Sequence, residues 1–204
     1  MTKSLYLIIL LFALSFFGHN KDIETIPKTE KKPSIKNHEV YKHDLVLNQN
    51  EGKWYYLNKP FNGYSIKCYQ NGVTSERLGY LNGKREGIAK RWENNGLLRI
   101  ESFYKQNRLT GTYKVWWKNG ELAEESIYEN GALHGVQKMY YPDGSLAKKR
   151  QLVNGREEGL QKSWLKNGKL YINYEAKNGR IFGMKRANSC YKLDDEIVVR
   201  SKKI

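Results

Sequence analysis

Glycine returns every 24 residues through most of this 204-residue chain, and a chain with that clock must be assembled from one repeated unit. One series is Gly63, Gly87, Gly111, Gly135, Gly159 and Gly183. A second is Gly72, Gly96, Gly120, Gly144 and Gly168. A third is Gly83, Gly131, Gly155 and Gly179, with Asn107 standing in once. No insertion or deletion interrupts them. A strict period between about 20 and 50 residues marks a repeat array, where each unit buries apolar surface against its neighbours.

The glycines sit in turn dipeptides. Asn71-Gly72, Asn95-Gly96, Asn119-Gly120, Asp143-Gly144 and Asn167-Gly168 mark one junction; Asn82-Gly83, Asn130-Gly131, Asn154-Gly155 and Asn178-Gly179 mark the other. Such dipeptides supply the positive φ of a tight type I′ hairpin, so that turn is expected at both junctions. The runs between them have strand length, and stretches such as Tyr113 to Trp117 are aromatic and β-branched. The expected fold is all-β: an elongated, single-layer antiparallel meander of stacked β-hairpins.

Four side-chain columns accompany the clock. Cys68, Trp92, Trp116, Tyr140 and Trp164 form one, and Tyr64, Ile88, Thr112, Val136 and Leu160 another, on the same face by parity. Thr74, Leu98, Leu122, Leu146 and Leu170 form a third; Tyr80, Tyr104, Tyr128, Leu152 and Ala176 form the fourth. Together they are expected to make one continuous apolar spine.

Along the chain, residues 1–18 read as a signal peptide or N-terminal anchor. Lys3 precedes the apolar run Leu5 to Phe17, which is shorter than the roughly 20 residues of a membrane-spanning helix. Residues 19–50 are a lysine-rich polar linker, with a first strand beginning within Val40 to Leu47. Residues 51–193 are the array, opening on a half-repeat in which Tyr56 stands 24 before Tyr80. Residues 194–204 form a C-terminal tail. Cys68 and Cys190 are the only cysteines. Five two-strand repeats put them roughly 45–50 Å apart at about 4.8 Å per strand, whereas a disulfide needs Cα atoms within about 7 Å. Both thiols are expected to be free, Cys190 the more reachable.

The formal charge is +15, and residues 51–204 hold 29 basic and 16 acidic side chains. The array itself is therefore basic and favours anionic partners. Lys90, Lys114, Lys138 and Lys162 recur three residues after a first-series glycine, two before Trp92, Trp116, Tyr140 and Trp164. Cations interleaved with rings can grip an anionic polymer or an anionic bilayer surface. The plainer alternative is that the lysine stems cover the rings while the ammonium groups stay in water. These eight residues are the candidate binding face.

The unit G-x-x-K-x-W/Y-x-x-N-G, followed by x-L and then N-G-x-x-x-G, resembles the MORN repeat over roughly residues 54–190. It looks closest to the variant form in bacterial YwqK-type antitoxin-like proteins. The resemblance implies a twisted sheet of hairpins that acts as a binding scaffold for proteins or membrane lipids, without catalytic residues. No motif of phosphate-cradling or metal-ligand spacing is present, and neither a cofactor nor catalysis is expected. The expected protein is an exported, non-enzymatic scaffold (periplasmic, envelope-bound or secreted) for a protein partner, an anionic lipid or a wall polymer. The alternative is an antitoxin or immunity protein that neutralises a toxin by direct contact. Nucleic acid is disfavoured by export. Lys and Arg near both ends disfavour edge pairing, so a monomer is expected.

Overall fold

The computed structural model describes residues 34–184. The expected leader, residues 19–33 of the linker, and everything from residue 185 onward, Cys190 included, lie outside the described residues. The described chain opens with β1 (Glu39–Tyr41), a 3-10 turn at Lys42–Asp44, β2 (Val46–Asn48), β3 (Lys53–Tyr56) and β4 (Lys59–Pro60). Then come β5 (Gly63–Cys68), β6 (Thr74–Leu81), β7 (Lys84–Arg85), β8 (Gly87–Trp92), β9 (Leu98–Lys105), β10 (Arg108–Trp116) and β11 (Leu122–Glu129). The series ends with β12 (Ala132–Leu133), β13 (Gly135–Tyr140), β14 (Leu146–Val153), β15 (Arg156–Glu157), β16 (Gly159–Trp164), β17 (Leu170–Lys177) and β18 (Arg180–Met184).

The hairpins join in sequence order into one open sheet from β1 to β18, antiparallel except where β1 runs parallel to β5. This is the expected single-layer meander. β2, β3 and β4 form a small separate sheet. Successive units are tied by one recurring backbone bond. Gly83 N–H donates to the Phe61 carbonyl (2.7 Å), Asn107 to Arg85 (3.0 Å), Gly131 to Leu109 (2.8 Å) and Gly155 to Leu133 (2.7 Å).

The two turns of a unit differ, which corrects the expectation of two alike. At Asn82-Gly83 both residues are left-handed (φ 52° and 78°), the type I′ geometry that asparagine and glycine tolerate. At Gln70-Asn71-Gly72 only the glycine is left-handed (φ 81°), and its N–H donates to the Tyr69 carbonyl at 3.0 Å. That is a type I turn closed by a glycine bulge. Asn71 is there for its side chain: Oδ1 accepts the Val73 N–H at 3.1 Å, and Asn95, Asn119, Asp143 and Asn167 repeat the contact. At Gln106-Asn107 a left-handed pair forms without glycine. Asn107 accepts from Arg85 N–H (2.7 Å) and donates to the Gly52 carbonyl (2.8 Å).

The bulge also overturns the single spine. Ladder register shifts beside Cys68, Trp92, Trp116, Tyr140 and Trp164, so each return strand carries one extra residue: Ser75, Arg99, Ala123, Ala147 or Tyr171. One extra residue reverses the alternation of everything beyond it. Thr74 therefore faces Cys68, while Tyr80, six residues later, faces Gly63 on the opposite side of the sheet. The tyrosine column lies on one face, called here the core face; the tryptophan and leucine columns share the other.

The packed core lies at the N-terminal end of the core face: Val40, Leu45, Phe61, Leu78, Tyr80 and Ala89, with Trp54, Tyr56 and Tyr104 against it. The opening half-repeat is one residue out of the expected phase. Its turn falls at Leu57-Asn58 (φ 47° and 60°), and Tyr56 opposes Lys59 as Leu81 opposes Lys84. Tyr56 thus matches Leu81, not Tyr80.

Candidate functional site

The face opposite the core carries three rows that run across the strands. The middle row is an unbroken cross-strand ladder: Ile66, Arg77, Lys90, Glu101, Lys114, Glu125, Lys138, Lys149, Lys162, Asn173. On one side runs the pairing Trp92–Leu98, Trp116–Leu122, Tyr140–Leu146 and Trp164–Leu170. On the other stand Ile88 opposite Phe103, Thr112 opposite Ile127, Val136 opposite Gln151 and Leu160 opposite Glu175.

All eight expected site residues are thus brought onto one face, the lysines on alternate strands and each aromatic two residues further along its strand. Trp92, Trp116, Tyr140 and Trp164 are half-buried, as are the four lysines. The flanking row beyond the lysines is open: Ile88 is 51% exposed and Leu160 56%. That column was expected to be core. It is surface, because the apolar layer formed on the other side of the bulge-shifted sheet.

The ladder is not a uniform cationic stripe. Lys90 pairs with Glu101 at 3.1 Å; Lys114 and Lys138 share Glu125, each at 3.7 Å. Lys149 and Lys162 form no ion pair among the described residues, and Lys149 is exposed. The residues between the lysines (Arg77, Glu101, Glu125, Lys149, Asn173) were missed. They recur every 24 residues and were visible as a column; only the sheet register shows that they intercalate.

The core face holds an apolar concavity near the glycine-bulge turns, with Val115, Trp117, Ala123, Met139 and Tyr141 in its lining. Its rim is fixed by hydrogen bonds across units: Trp117 Nε1 donates to the Tyr140 carbonyl (3.1 Å), and Tyr141 Oη to that of Trp164 (2.9 Å). At the N-terminal end Lys42 Nζ lies 2.9 Å from the Trp54 ring centre and donates to Tyr80 Oη at 2.8 Å. Burial, and then the Arg85 cation, push the Lys42 ammonium down to about 7. Burial and a hydrogen bond to Glu157 push the Tyr174 phenol up to about 12. No group of His, Cys, Asp and Glu among the described residues is arranged to hold a metal ion. Cys68 is exposed and unbridged.

The family model of the MORN repeat variant matches residues 109–130 and 133–154, the stretch from β10 to β14. No curated protein matches the chain. The match supports reading the chain as a MORN repeat protein; such repeats are commonly scaffolds for proteins or lipids and generally lack catalysis.

Proposed function

We propose that this array is an exported, non-catalytic scaffold that binds a protein or an anionic component of the cell envelope through its three-row face. The observation that supports the reading is the combination on that face: a lysine-bearing ladder, with Lys149 and Lys162 in no ion pair among the described residues, between an apolar row and a partly apolar, partly exposed one. Apolar rows in such an arrangement supply contact area, and unpaired cations select anionic partners. Replacing Lys90, Lys114, Lys138 and Lys162 together by glutamate is expected to abolish binding to acidic liposomes and wall polymers. Binding retained at the wild-type level would remove this face from consideration.

Export draws on the Lys3 and Leu5–Phe17 pattern. Fractionation with intact-mass analysis is expected to find an envelope or medium species shortened by about 15–20 residues. A full-length cytoplasmic chain would instead favour the antitoxin reading, which the likeness to YwqK-type proteins suggests. Rescue of cells from a toxin encoded beside it, with co-purification, would then be the deciding assay.

A further inference from the structure

We infer that the C-terminal half of the three-row face docks an α-helix of a partner protein, laid across the strands with an acidic stripe over Lys138, Lys149 and Lys162. The inference deepens the scaffold reading and rests on it. It starts from a comparison between hairpins. At the centre of successive return strands stand Arg77, Glu101, Glu125, Lys149 and Asn173. Where the residue is Glu101 or Glu125, the ladder alternates in sign, and the acids pair with Lys90, Lys114 and Lys138. At β14 the acid is replaced: Lys149 stands directly opposite Lys138 on one side and Lys162 on the other. Like charges in direct cross-strand register destabilise a sheet. Two neighbouring hairpins show that glutamate fits this position. The three-lysine run therefore works against the fold, which points to an anionic partner.

The flanks select the kind of anion. Tyr140, Leu146, Trp164 and Leu170 border the lysines on one side; on the other, Val136 and Leu160 alternate with Gln151 and Glu175. A partner must present a line of negative charge with apolar groups along one side of it and mixed apolar and polar groups along the other. An amphipathic helix does so with acids one turn apart, about 5.4 Å, against strands about 4.8 Å apart. Over two steps the mismatch is about 1 Å, which lysine stems absorb; same-side carboxylates of an extended chain, about 6.8 Å apart, would drift by about 4 Å. A bilayer fits less well. Sinking the flanking rows into hydrocarbon would carry the lysines between them, and Glu175 beside Leu160, to the same depth.

The test uses the full chain and four probes. These are a labelled helical peptide of about four turns with glutamates at i, i+4 and i+7 between leucines, a scrambled peptide of equal composition, phosphatidylglycerol–phosphatidylcholine vesicles, and a single-stranded oligonucleotide. Lys149→Glu restores the alternating ladder, so it is expected to raise Tm while weakening the helical peptide by about tenfold or more. Lys59→Gln, on β4 of the small separate sheet and outside the three-row face, should change peptide binding by about twofold at most. Equal binding of the scrambled peptide, unchanged affinity in Lys149→Glu, or a lowered Tm in that variant would overturn the inference. Vesicle or oligonucleotide binding that needs Lys149, without peptide binding, would overturn the helix and leave the scaffold reading standing.

Discussion

The same face of the same sheet is held in two different ways at its two ends. Around β5, β6 and β8 it is apolar and covered. Leu78 and Tyr80 are 3% and 0% exposed beneath Val40, Leu45 and Phe61, and the Tyr80 ring lies tilted 5.7 Å from Phe61 and edge-on 6.3 Å from Trp54. From β11 to β17 the positions matching Leu78 and Ala89 turn polar, while the Tyr80 column keeps Leu152 and Ala176 buried. Ser126 Oγ and Gln137 Nε2 donate to Glu124 (2.6 and 2.7 Å), Arg150 Nε donates to Gln137 Oε1 (2.9 Å), and Tyr174 Oη donates to Glu157 (2.6 Å). One period thus accommodates two solutions. A second layer over the sheet permits aromatic packing; where polar side chains such as Ser126 and Gln137 are buried instead, they must satisfy one another. The difference shows that a repeat specifies backbone pairing strictly and leaves its face chemistry to local cover.

Tyr80→Ala should have the largest effect, about 3–5 kcal/mol in urea unfolding, because it opens a cavity under the cap. Tyr128→Ala, at the equivalent but half-buried site, should cost less than half of that. Equal losses would dissolve the distinction between covered and open ends. Gln137→Leu comes next, at about 1–3 kcal/mol, because it strips a partner from both Glu124 and Arg150. A neutral outcome would mean that the network contributes nothing to holding the open end.

A smaller effect, readable through pH, concerns Lys42. In the unfolded chain this ammonium keeps its proton to about its ordinary value of 10.5; in the fold it releases it near 7. The unfolded state therefore binds more protons between those values, and the stability contributed at this site rises with pH across that window. Wild type is expected to gain stability relative to Lys42→Met between pH 7 and 10, followed by chemical denaturation at each pH. A constant difference would show that contact with Trp54 and Tyr80 keeps the amine charged throughout.

Much of this was legible in the residues. The glycine clock and the Asn-Gly and Asp-Gly dipeptides announced hairpins of the right length in the right order, and the Lys and Trp columns shared a face because no irregularity separates Lys90 from Trp92 on their strand. The spine was misread at one kind of place. Thr74 and Tyr80 have the same parity in sequence, and Ser75, a bulged residue, reverses it; nothing in the letters Thr-Ser-Glu signals that reversal. The opening half-repeat failed similarly, since a single residue between Phe61 and Gly63 shifts Tyr56 out of phase. Parity arguments are exact only between irregularities, and their errors are whole faces.

By itself, then, the sequence determined the period, the chain of hairpins, the basic array and the alignment of like residues down the sheet. These follow from local chemistry: turn residues that tolerate left-handed backbone, and side chains that suit strands. The tertiary structure alone decided which face became core, which lysines found an acid beside them and where three stand in direct register. Those outcomes depend on register between strands and on an N-terminal cap folding back over the first hairpins. Both are contacts between residues far apart in the chain, where no local propensity acts.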